Sequence, residues 1–77
     1  MKKTNYYTET FAVDDSYRID IVNDGEAYEA WISQKGYGVK YLMFGISIDD
    51  ISHEMFLKVV KANTENYIKL YRAKIED

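Results

Sequence analysis

The chain has no cysteine and no proline, a single histidine, a single tryptophan and only four glycines in 77 residues. Without cysteine there are no disulfides and no thiolate metal sites, so the staples of small secreted domains are excluded and stability has to come from packing. Long apolar runs are missing too. The opening MKKTNYYTETF carries two lysines with no hydrophobic stretch behind them, so it fails as a signal peptide, and no window approaches a membrane span. The expected compartment is the cytoplasm, with no membrane partner. Positive charge is also short: ten basic against thirteen acidic residues leave a formal charge of −3, which argues against general affinity for phosphate backbones and hence for nucleic acid.

What the chain has is apolar and aromatic surface. It is 47% hydrophobic with eight tyrosines, too apolar for disorder, and no linker, repeat or low-complexity segment interrupts it. Residues 1–77 read as a single domain. A domain this short buries only about 60% of the surface its unfolded chain exposes. The core is thin, and self-association is the remaining source of burial.

Four strands are expected, at about 4–13, 17–22, 26–33 and 39–46. TNYYTETFAV is rich in threonine and aromatics, with partial alternation. Asp14, Asp15 and Ser16 form a turn, and YRIDIV then alternates cleanly, with Tyr17, Ile19 and Ile21 on one face and Arg18 and Asp20 on the other. Asn23, Asp24 and Gly25 supply a tight turn into EAYEAWI, with Gly25 suited to a positive φ. The loop QKGYG leads to VKYLMFGI in either of two registers. In one, Tyr28, Ala30 and Ile32 share a face with Leu42, Phe44 and Ile46, opposite Trp31, Tyr41 and Met43; in the other, Trp31 joins Leu42 and Phe44. Either way both faces of this hairpin carry large apolar groups, and one covering layer dries only one of them.

SIDDIS supplies caps in Ser47, Asp49, Asp50 and Ser52, so a helix is expected over about 51–76. Met55, Phe56, Val59, Val60, Tyr67, Leu70 and Tyr71 form one apolar stripe, while Lys58, Lys61, Glu65, Lys69 and Arg72 form a solvated side with ion pairs four residues apart. An unbroken helix of this length spans about 39 Å and a seven-residue strand only about 23 Å. The sheet therefore cannot cover it. Either NTEN at 63–66 bends the chain or the distal Tyr67, Ile68, Leu70, Tyr71 and Ile75 meet another subunit; the second is expected, because Asn and Thr are only mediocre helix formers. The fold class is thus α+β, a four-stranded antiparallel meander followed by one long C-terminal helix packed on one sheet face.

Chemistry-bearing clusters are few. DDISHE places Asp49, Asp50, His53 and Glu54 together at a helix start, but capping and the helix dipole account for them, and no second imidazole is available for a metal. Ser16, Ser33, Ser47 and Ser52 lie in turns or caps with one histidine in the chain to serve as base. Gly36 and Gly38 join two strands, not a strand and a helix N-terminus as a phosphate loop does. Trp31, Tyr41 and Tyr6 could stack bases on an open sheet face, yet Glu29 and Asp20 flank them as well as Arg18. No catalytic residue, metal or cofactor is expected.

The succession YRIDIV, NDG, EAYEAWI, a further strand and a helix ending KANTENYIKLY resembles the small HicB-type antitoxin domain. There a three-stranded meander leads into a helix whose later turns often read Asn, Ile and Leu-Tyr, matched here by Asn63, Ile68, Leu70 and Tyr71. The resemblance covers residues 17–71. The sequence departs from it in lacking the proline-containing loop, in its extra leading strand, and in ending without a further strand or DNA-binding module. It implies neutralisation of a toxin partner. The residues themselves favour a non-catalytic protein–protein interaction module, homodimeric, with Trp31, Tyr41 and Met43 on the second sheet face and the distal helix as contact surfaces. A small-ligand binder with an aromatic sheet face is the other alternative.

Overall fold

The computed structural model of the chain describes residues 6–76, with side chains from residue 9 onward. Four antiparallel strands, Tyr6–Val13 (β1), Tyr17–Asn23 (β2), Ala27–Gln34 (β3) and Lys40–Ser47 (β4), pair in the order β1-β2-β3-β4. Two helices, His53–Ala62 (α1) and Thr64–Glu76 (α2), follow and cover one face. Positions 4 and 5 of the expected first strand lie outside the described residues.

Local chemistry sets the turns. After β1, Asp14 and Asp15 take φ of 57° and 59°, the paired left-handed conformation of a tight hairpin, which aspartate tolerates better than most side chains. After β2, the Asn23 carboxamide oxygen accepts from the Gly25 N–H, and the Asp24 carboxylate accepts from the N–H groups of Glu26 and Ala27 at 2.9 Å. Gly25 sits at φ 92°, a conformation that strains residues with a Cβ.

The register of β4 combines both readings of the sequence. Tyr28 and Ala30 pair with Ile46 and Phe44, as in the first; Trp31 and Ile32 pair with Leu42 and Tyr41, as in the second. A β-bulge that gives β4 one extra residue, Met43, separates the two stretches and reverses the facing of everything beyond it. Tyr41 therefore lies on the helix-covered face, against Tyr71, and not beside Trp31. Met43 packs partly against the core.

The single long helix is not what forms: α1 ends at Ala62, and α2 begins at Thr64. Asn63 explains the break. Its backbone, at φ −119° and ψ 14°, has left the helical region, and its N–H donates to the Val60 carbonyl instead of Val59. The vacated Val59 carbonyl is taken by the Asn63 side-chain amide at 2.7 Å. The chain can thus turn here without orphaning the Val59 carbonyl.

The turn sends the two helices across the sheet and back. In α1, Phe56 stacks on Tyr28 and Phe44 with centroids 5.2 and 5.3 Å away, and the helix ends with the Lys61 ammonium 5.4 Å from the Phe11 ring on β1. Returning toward β4, α2 sets Tyr71 edge-on to Tyr17 and Tyr41 at 5.9 and 5.6 Å, with Lys74 5.4 Å over the Tyr41 ring. The core between the layers is Tyr17, Ile19, Ile21, Tyr28, Ala30, Ile32, Phe56, Val60, Tyr67 and Tyr71. Tyr67 and Tyr71, expected to meet another subunit, are consumed by the protein's own core.

Two outcomes follow. Tyr71 is 0% exposed whereas Leu70 is 45% exposed, so Tyr71→Ala should cost about 3–5 kcal/mol and Leu70→Ala well under about 2, measured from urea midpoints. Equal losses would contradict this packing. Burial also raises the Tyr67 phenol above its ordinary value of 10.0. The folded state then keeps a proton that the unfolded chain releases, so this contribution is intact below about pH 10 and is lost as pH rises through the raised value. Tyr67→Phe should flatten that alkaline decline in a series of urea titrations.

Candidate interaction surface

The opposite face of the sheet is covered by neither helix. The strand register lays it out in three rows across the strands: Ala12, Arg18, Ser33 and Lys40; Thr10, Asp20, Trp31 and Leu42; and Val22, Glu29 and Gly45. The middle row carries the apolar contact. Trp31 is half-buried and lies opposite Leu42, which is 46% exposed. The Trp31 indole N–H donates to the Glu29 carboxylate at 3.0 Å, two residues along the same strand face. That bond satisfies the indole donor of the half-buried ring.

Asp20 lies at the centre of this face, yet only 2% of it is exposed. Its Oδ1 accepts from the Thr10 hydroxyl at 2.9 Å and lies 3.5 Å from Arg18 Nε. The Lys40 ammonium reaches across β3 to sit 3.0 Å from Oδ2, as an ion pair and not an aligned hydrogen bond. A buried carboxylate is tolerated only with such compensation. The alternation of YRIDIV identifies the face of Asp20; it carries no signal that Lys40, twenty residues on, roofs it over.

Of the residues expected on the contact surface, Trp31 is on the uncovered face, with Leu42 beside it in place of Tyr41 and Met43. Tyr6 belongs to β1, but its side chain lies outside the described residues. Ile68 and Ile75 are partly buried against the core, and Leu70 is the exposed large apolar residue of α2. Asp49, Asp50, His53 and Glu54 do not converge: among the described residues, no three His, Asp or Glu side chains are grouped to hold a metal ion. Ser52 caps α1, accepting from the Met55 N–H at 3.1 Å, and Ser47 accepts from Asp49 N–H at 3.2 Å. His53 lies against the Tyr28 ring at 5.7 Å. No described helix is long and apolar enough to cross a membrane. Comparison of the chain with known protein families, curated proteins and solved structures finds no match.

The Asp20 cluster has an asymmetric signature. Removing Lys40 strands a buried carboxylate, whereas removing Asp20 leaves cations that can swing into water. Lys40→Met should therefore cost more than about 1 kcal/mol, above the usual worth of an exposed lysine, and a double-mutant cycle with Asp20→Asn should give a coupling of roughly 1 kcal/mol or more. Additive losses in urea unfolding would show that the pair is only a surface contact.

Proposed function

We propose that the protein is a non-catalytic interaction module that works in the cytoplasm as a homodimer, with the uncovered sheet face as its contact surface. The observation that carries this reading is the Trp31–Leu42 pair, a large aromatic and an exposed leucine directly opposed on the face that neither helix covers. Aromatic anchors ringed by polar groups are the usual composition of a specific interface.

A second copy is the occupant that the charges favour. The face presents Arg18 and Lys40 beside the partly exposed Glu29, so two copies related by a twofold axis can match opposite signs. A uniformly acidic or basic partner would meet like charges somewhere on it. Four strands of about seven residues give a planar footprint of roughly 400 Å², the scale of the smaller specific interfaces once side-chain relief is included.

Light scattering after size exclusion, run at low micromolar concentration, should return twice the 9.1 kDa monomer mass. Leu42→Glu should give the monomer mass while that monomer still unfolds cooperatively, since Leu42 is already half exposed within one chain. Leu70→Glu should leave the dimer intact. A wild-type protein that stays monomeric as concentration is raised would overturn the proposal, and dissociation by Leu70→Glu alone would transfer the contact to α2.

A further inference from the structure

The charges of the uncovered face are sorted along the strands. The register sets Arg18, Ser33 and Lys40 side by side in the first row and Glu29 in the third, with the row of Trp31 and Leu42 between them. Neighbours within a row are about 4.8 Å apart, and successive rows on one face about 6.7 Å. The side chains of Arg18 and Lys40 are 58% and 42% exposed, and both lie against Asp20. Two cations against that one buried carboxylate leave the first row with an excess of positive charge that a single further carboxylate balances. Arg18 reaches Asp20 through Nε, and a guanidinium has five N–H donors in a fork that suits a second carboxylate. Glu29 is partly exposed, and its Oε1 accepts from the Trp31 indole; a carboxylate accepts at both of its oxygens.

The edges of the sheet are poor places for a second copy to add. Both edge strands carry an irregularity of the bulge kind, β1 between Tyr7 and Glu9 and β4 at Met43, and bulged edges resist pairing with another sheet. Face-to-face contact remains. Aligned sheets pack about 10 Å apart with strand directions within about 30° of each other, so the twofold axis runs in the plane between them, either along the strands or across them. An axis along the strands sets each row over the same row of the partner. Cations then meet cations, and the two Glu29 carboxylates share one row. An axis across the strands, through the Trp31 row, sets the first row of one copy over the third row of the other. Glu29 then falls over the partner's Ser33, with the partner's Arg18 and Lys40 on either side.

We infer that the dimer is antiparallel, with Glu29 of each copy seated between Arg18 and Lys40 of the other and the two Trp31 rings at the axis. The inference rests on the proposed face-to-face homodimer and adds its orientation and the residue that each copy contributes to the other. One interface holds two such sites. The crossing of the sheets carries the acidic turns at their ends, Asp14 with Asp15 and Asp24 with Glu26, away from one another.

Dissociation constants from sedimentation equilibrium of the full chain test it. Glu29→Gln keeps an acceptor for Trp31 and loses the charge, and should weaken the dimer about tenfold over the two sites, although a chain of charge −3 gains from shedding negative charge in general. Glu65→Gln, the same change on the exposed side of α2, should not weaken it. Glu29→Lys should not pair with itself, whereas mixing it with Arg18→Glu should restore a dimer of one copy of each, read by native mass spectrometry. A wild-type dimer that Glu29→Gln leaves unchanged or tightens overturns the antiparallel arrangement and leaves the homodimer standing, because tightening is the result of an axis along the strands. Self-pairing of Glu29→Lys at wild-type strength overturns it too. A wild-type chain that stays monomeric overturns the homodimer itself. The Gln variant decides the orientation even if Arg18→Glu does not fold.

Discussion

The one hydrogen bond on which most of this structure depends is from the Asn63 side-chain amide to the Val59 carbonyl. A helix that stops in mid-course leaves carbonyls without donors, and next to a hydrophobic core that loss is expensive. Because the side chain supplies the missing donor, the backbone can turn after one layer's width and lay a second helix back across the same sheet. Tyr71 then falls between Tyr17 of β2 and Tyr41 of β4, Tyr67 joins the core, and a sheet too short for one long helix is covered by two shorter ones. The burial that a 77-residue chain seemed to need from a partner is found in part within itself.

The same economy leaves one face of the sheet without a layer. All of the helical apolar surface that can reach the sheet is on one side, and the other side is defended by charge and by a half-buried tryptophan tied to Glu29. Asp20 illustrates the compromise. Its neighbours in the row are Thr10 and Trp31, and Lys40 and Arg18 fold over it, so the centre of the face is dry without being apolar. A surface of that kind resists indiscriminate sticking, because any partner must accommodate the charges as well as the ring. The proposed self-association rests on that selectivity more than on area.

How much of this was legible beforehand depended on whether the signal was local. The strands, the Asn-Asp-Gly turn and the inward facing of Tyr17, Ile19 and Ile21 were readable from period-two alternation and turn chemistry, which act over a few residues. The two registers weighed for β4 were both partly right, because a bulge at Met43 allows each to hold on its own side. Nothing in the run VKYLMFGI distinguishes a bulge from a continuous strand, since aliphatic and aromatic side chains suit either face. The helix break was misjudged for a different reason. Propensity treats Asn as a weak helix former, a cost of a few tenths of a kcal/mol that context easily overrides, and it omits the capability that mattered, a side chain able to replace its own backbone as donor.

Long-range pairing accounts for what was not legible at all. Lys40 meets Asp20, and the Lys35 N–H meets the Ser16 carbonyl across the end of the sheet, only because the meander aligns them. Such sites emerge from register, so a one-residue change in the bulge would dissolve them while leaving every strand in place. The Met43 bulge turns Leu42 outward to Trp31 and Tyr41 inward to Tyr71 at once. A single irregularity in an edge strand thereby completes the core on one face and supplies the exposed apolar contact on the other. It is the physical link between how this small domain closes its interior and how it leaves an apolar pair exposed on its uncovered face.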